Sequence, residues 1–315
     1  MSRWRRIALT VSAMLVVLLL AASFRYGQSR GVFAGVADKT PGVCRTMEAM
    51  AGVIAIIPDA RTHSAVLATR QGGIFVLAGG TAMKLAGTPK DFHPVALSAS
   101  SGKLDAAFAR NDGSYAIAGF DVSPGKVTET SRLTTDQLTD PADILATDPF
   151  RFYLVNRHSS RSVLGRWLDD VFLIPRAEVQ FFDGLKFITV SKRLNSPSAM
   201  AVSPDGNFLY VAQELPRNLA YFQRNPFSGA LGDVQIFNLP AAPTKITVAT
   251  DGNLIVAAWP KRGQGAVYRV RVDGGVPQSA ELVYASKSVE INAAASANGQ
   301  LLVGTDKTFL NCEMP

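Results

Sequence analysis

Histidine is nearly absent from this chain of 315 residues. His63, His93 and His158 are the only three, and none is spaced with a second ligand in a zinc-binding pattern. The G-x-S-x-G turn that presents an activated serine is missing, as is the glycine loop that cradles phosphates. Cysteine is scarcer still, with only Cys44 and Cys312, so a small disulfide scaffold is excluded. Residues 1–30 contain no carboxylate but hold Arg3, Arg5, Arg6, Arg25 and Arg30, and thus five of the seven net positive charges. The remainder is too nearly neutral for a nucleic-acid surface, so no nucleic-acid partner is expected.

Between Ile7 and Phe24 the chain runs about 18 residues without a charge, long enough to cross a bilayer as a helix. The arginines before it keep the N-terminus in the cytoplasm and place the rest outside, in a periplasmic or extracellular setting. A signal peptide cleaved near Ala21 or Ser23 is the alternative, and it exports the same domain. Residues 1–25 therefore read as a signal anchor or transmembrane helix, 26–43 as a tether and 44–315 as the folded domain. The two cysteines either pair, tying the ends of that domain together, or stand as separate buried thiols. Their positions favour the bridge.

The 47% of hydrophobic residues is arranged as a repeat. SPSAMAVSPDGNFLYVAQ, from Ser196, has an apolar strand, a Pro204-Asp205-Gly206 turn and a second strand of aromatic and β-branched residues, the pattern of a β-hairpin. Related hairpins begin at Gly52, His93, Pro141, Pro243 and Glu290. The markers Gly102, Asp148, Asp205, Asp251 and Asn298 fall at spacings of about 46, 57, 46 and 47 residues. Strand-like segments at Gly73-Leu77, Tyr115-Asp121, Leu219-Gln223 and Ala266-Val272 lie between them. All-β units of this period are the blades of a propeller, so the fold class is all-β, a six-bladed β-propeller behind an N-terminal transmembrane helix.

The long interval holds SSRSVLGRWLDDVFLIPRAEV, where Leu164, Trp167, Leu168, Val171 and Phe172 recur at helical spacing. This predicts an amphipathic helix that either packs its apolar face on the propeller or forms a lid touching the membrane. Arg151, Arg157, Arg161, Arg166 and Arg176 surround it as a solvated or anion-attracting cluster. If the first strand of each hairpin is innermost, the residues converging on one channel mouth include Gly52, Val53, Ala142, Asp143, Ser198, Thr244, Lys245, Glu290 and Asn292, with Asn111 from a neighbouring loop. His158, at the end of the third hairpin, is a further candidate.

The chain resembles the paraoxonase/arylesterase family of calcium-dependent six-bladed propellers and, more distantly, gluconolactonase-like propellers. PADILATDPFRFYLVNRH with the RWLDDVF insertion, AMAVSPDGNFLYVAQE, ITVATDGNLIVAAWP and the terminal LLVGTDKTFLNCEMP carry the resemblance. It implies hydrolysis of lactones and aryl esters at calcium ions held by Glu, Asn and Asp. Placed position by position, the family's Glu-Asp pair falls on Gly52 and Val53, its Asn-Asp pair on Ala142 and Asp143, its Asn on Ser198 and its Asp-Asn pair on Thr244 and Lys245. A histidine proposed for its catalytic dyad falls near Asn111, and a pocket histidine on Trp259. Asp143 is thus the only retained metal-ligand position, and calcium is disfavoured as a cofactor. Lys245 is expected either to pair with Asp143 or Glu290 in the vacated centre or to be a solvated surface lysine. Two functions follow: a diverged, non-catalytic propeller binding a small ester, lactone, other apolar ligand or an envelope protein, or an active arylesterase or lactonase with a rebuilt site.

Overall fold

The computed structural model describes residues 3–32, 35–47, 50–59 and 64–314. Six four-stranded antiparallel sheets form six blades. Their inner strands are Val53–Asp59, His93–Ser100, Pro141–Asp148, Pro197–Val202, Ala242–Val248 and Ile291–Ala297, for blades one to six in order. Each of the six hairpins supplies the two inner strands of one blade, and the segments between them supply the third strands.

The burial of each strand follows from its place in the blade. INAAASA, the inner strand of blade six, is buried at every position because other strands cover both its faces. KVTETSRL, the outer strand of blade two, is exposed at most positions, with Val127 its buried residue. Small inner residues let the blades approach, and larger ones fill the wedges between them: Tyr210, Leu219, Val256 and Tyr268 share one cluster between blades four and five. In the Pro204-Asp205-Gly206 turn, Gly206 takes φ +75°, a left-handed conformation that favours glycine.

Blade six is completed from the other end of the chain. Its fourth strand is β1, Cys44–Met47, which pairs antiparallel with Phe309–Glu313 so that Cys44 lies opposite Cys312. The two sulfurs are bonded across 268 residues of sequence, which settles the pairing in favour of the bridge.

Two helices lie on one face. Helix α1, Arg3–Ser29, includes a candidate membrane span, Leu9–Ser29, with an exposed apolar surface. Helix α2, Val163–Phe172, is capped by Ser162, whose side chain accepts from the Gly165 N–H, and it packs beside α1. Its orientation overturns the expectation that its apolar face packs on the propeller. Val163, Leu164, Trp167 and Phe172 are exposed, whereas Asp169 is buried. The polar side faces inward because its partners are there: Arg176 lies 3.0 Å from Asp169, His158 lies 2.9 Å from Asp170, and Arg166 donates to the Thr139 carbonyl.

Candidate functional site

Every inner strand breaks register at its first residues. The breaks fall between Val53 and Ala55, Pro94 and Ala96, Pro141 and Asp143, Pro197 and Ala199, Pro243 and Lys245, and Ile291 and Ala293. A bulge re-aims the side chains beside it, and here the six bulges form a ring around one end of the channel. Proline precedes four of them, at the strand start where its missing N–H does no harm.

The bulges gather most of the residues singled out from the sequence. Lys245 Nζ lies 2.9 Å from Asp143 Oδ1 and 3.3 Å from the Ala142 carbonyl. Asp143 Oδ2 accepts from the Met200 N–H at 2.7 Å. The two side chains are only 14% and 9% exposed, so Lys245 is not a solvated surface residue. Burial pushes the Asp143 carboxyl upward, opposed by the ammonium and by the N–H groups of Met200 and Ile144. Of the two partners expected for Lys245, Asp143 takes the contact, while Glu290 Oε1 accepts from the Gly263 N–H at 2.7 Å.

The remaining polar side chains here are engaged in bonds between blades, or within one in the case of Asn292. Ser198 Oγ donates to the Pro243 carbonyl at 2.7 Å, and Thr244 Oγ1 lies 3.1 Å from the Ala257 carbonyl and 3.3 Å from that of Ile291. Asn292 donates to Asp306 at 2.7 Å. Gly52 and Val53 offer no polar side chain. On the rim, Asn111 Oδ1 and His93 Nε2 lie 2.9 Å apart and exposed. His158 does not line the channel: it is buried under α2, with Nδ1 2.7 Å from Asp140 and Nε2 2.9 Å from Asp170. His63 lies outside the described residues. Among the described residues, no group of three or more His, Cys, Asp or Glu side chains gathers as metal donors.

Two cavities meet this ring. Inside the channel is a well of about 330 Å³, walled by Ile56, Leu97, Ile144, Val202 and Ile246, with Asp143 and Lys245 among its lining. At the mouth, a cavity of about 730 Å³ lies between the end of α1 and the rims of blades four to six. Tyr26, Val32 and Trp259 give it apolar surface, and Arg30, Lys261, Arg262, Glu214 and Glu290 its charges. Trp259 is fixed by its indole N–H, which donates to the Ile291 carbonyl at 2.8 Å.

Sequence reasoning missed Arg30 and Glu214, which close this cavity. Arg30 Nη1 lies 2.8 Å from Glu214 Oε1, and Arg217 donates through Nε to the Ser29 carbonyl at 3.0 Å and through Nη2 to that of Pro260 at 2.9 Å. Gly31 completes the contact, since a Cβ there would stand 1.9 Å from the Pro260 oxygen. The signal was available: the second strand of every hairpin returns to the mouth, so Glu214, one residue past such a strand, had to lie there.

The six-bladed ring is shared with solved gluconolactonase-type propellers. The gluconolactonase of Xanthomonas campestris superposes with a TM-score of 0.62 at 15% identity, over 90% of this chain and 97% of that one. Regucalcin, a calcium-binding protein of Agrobacterium tumefaciens, gives 0.56 at 16% identity over 89% and 98%. At such identities these likenesses define the fold. The arylesterase sequence profile matches residues 87–314, and the chain belongs to the arylesterase family. Bovine serum paraoxonase/arylesterase 2 is 21% identical over 168 residues, 52% of this chain, so the match spans about half (46%) of that relative's length.

Proposed function

We propose that this arylesterase-family propeller is a membrane-held binding module that takes a small ester, lactone or other apolar ligand at its mouth and does not work as a calcium hydrolase. The cavity between α1 and Trp259 carries the reading: it joins apolar walls to a few fixed charges, the usual composition of a small-molecule site. Beneath it, the residues at the family's metal positions do not suit calcium, which needs six to eight oxygen ligands. Asp143 already faces an ammonium, and the Ser198 and Thr244 hydroxyls are turned to backbone carbonyls. No step through a metal is therefore assigned.

The membrane reading draws support from α2. An apolar face turned outward beside a helix long enough to span a bilayer is suited to the interface, with Trp167 and Phe172 at headgroup depth. The arginines before the apolar span and the disulfide fit a propeller held outside the cytoplasm.

The test uses the full chain in detergent micelles, measuring bound calcium, turnover of aryl esters and lactones with and without chelator, and Trp259 fluorescence as each compound is titrated. The expected result is a saturable fluorescence change, lost in Trp259→Phe, without chelator-sensitive turnover. Chelator-sensitive turnover would establish the hydrolase instead. No saturable change would leave the mouth to an envelope protein.

A further inference from the structure

The ring of bulges is stitched from blade to blade on one side of the channel. Ser198 of blade four donates to the Pro243 carbonyl of blade five, and Thr244 of blade five bonds the Ile291 carbonyl of blade six. Lys245 closes a longer span. From blade five it reaches the Asp143 carboxylate and the Ala142 carbonyl of blade three, and the other oxygen of Asp143 takes the Met200 N–H of blade four. Two side chains thus join three blades at the axis.

We propose that the Lys245 ammonium is the resident cation of this propeller, carried on the chain where the family resemblance places a bound metal, and that it makes the fold independent of divalent ions. The pair lies where removing either charge is expensive, because the other would stay buried and uncompensated. It also bars a metal from the retained carboxylate, since an ion approaching Asp143 meets a like charge within a few ångströms, a clear repulsion even at a moderate effective dielectric. The ammonium needs no further anion, and the carboxylate no further cation, as each balances the other and the Ala142 carbonyl accepts a second N–H. The inference holds whether or not the mouth binds a ligand, because its readout is stability.

Thermal unfolding of the full chain in micelles tests it, with calcium or chelator present, for the wild type, Lys245→Met, Asp143→Asn and the double variant. The wild type is expected to melt at the same temperature with calcium and with chelator. Lys245→Met is expected to lose about 10 °C, and the double variant to regain most of that loss because no lone charge remains. A single variant that fails to fold while the double variant folds gives the same support. Calcium raising the wild-type midpoint, Lys245→Met melting like the wild type, or a double variant no better than the single would overturn the proposal.

Discussion

Glu214 receives Arg30 on one carboxylate oxygen at 2.8 Å and Arg157 on the other at 2.7 Å, so a side chain only 3% exposed joins the end of α1 to blades three and four. Replacing Glu214 by Gln leaves Arg157 without its carboxylate and Arg30 with only its 3.4 Å contact to Asp170, and is expected to cost about 2–3 kcal/mol. Arg30→Ala leaves Glu214 paired with Arg157 and should cost no more than about 1 kcal/mol. Denaturation of the two variants side by side checks the order.

His158 supplies a pH signature. Burial alone would lower its pKa, but the hydrogen bonds and charges of Asp140 and Asp170 outweigh it and hold the imidazole at about 9. A folded value above the ordinary 6.5 means that the stabilisation is complete below that pH and is lost as pH climbs through about 9. Melting temperature should therefore decline over this alkaline window, and His158→Gln should remove the decline while lowering stability at neutral pH.

Asp105 acts in the same direction, over a lower pH window. Burial pushes its carboxyl up to about 6 despite the nearby Lys103. The protonated form suits the fold, so its contribution is lost as pH rises from the ordinary carboxylate range through about 6. Asp105→Asn is expected to raise the melting temperature at neutral pH and leave it unchanged near pH 4, which paired scans at the two values decide.

The Cys44–Cys312 bridge closes a loop of 268 residues. On the chain-entropy model such a loop stabilises by about 5 kcal/mol, so Cys312→Ser or reduction should lower the melting temperature by about 10 °C. Proteolysis of the reduced protein should open β1 first, because this four-residue strand pairs with Phe309–Glu313 alone.

The propeller was legible because each blade repeats a hairpin whose turn residues mark the period. Even the bulges had a trace, since Pro94, Pro141, Pro197 and Pro243 recur one residue before a bulged position. The orientation of α2 was not legible. Periodicity defines an apolar stripe but not what it faces, and the partners that turn Asp169 and Asp170 inward come from outside the helix: Arg176, His158 and Arg30. Likewise Lys245 and Asp143 could be placed near one another by blade counting. The closure of the mouth by Arg30 required knowing where α1 ends in space.

The pairing of β1 with Phe309–Glu313 also sets an order of events during synthesis. The first strand to emerge after α1 has no partner until its partner strand Phe309–Glu313 has been made. Ring closure therefore waits for that strand, and until then β1 is an open strand edge, available to wrong partners.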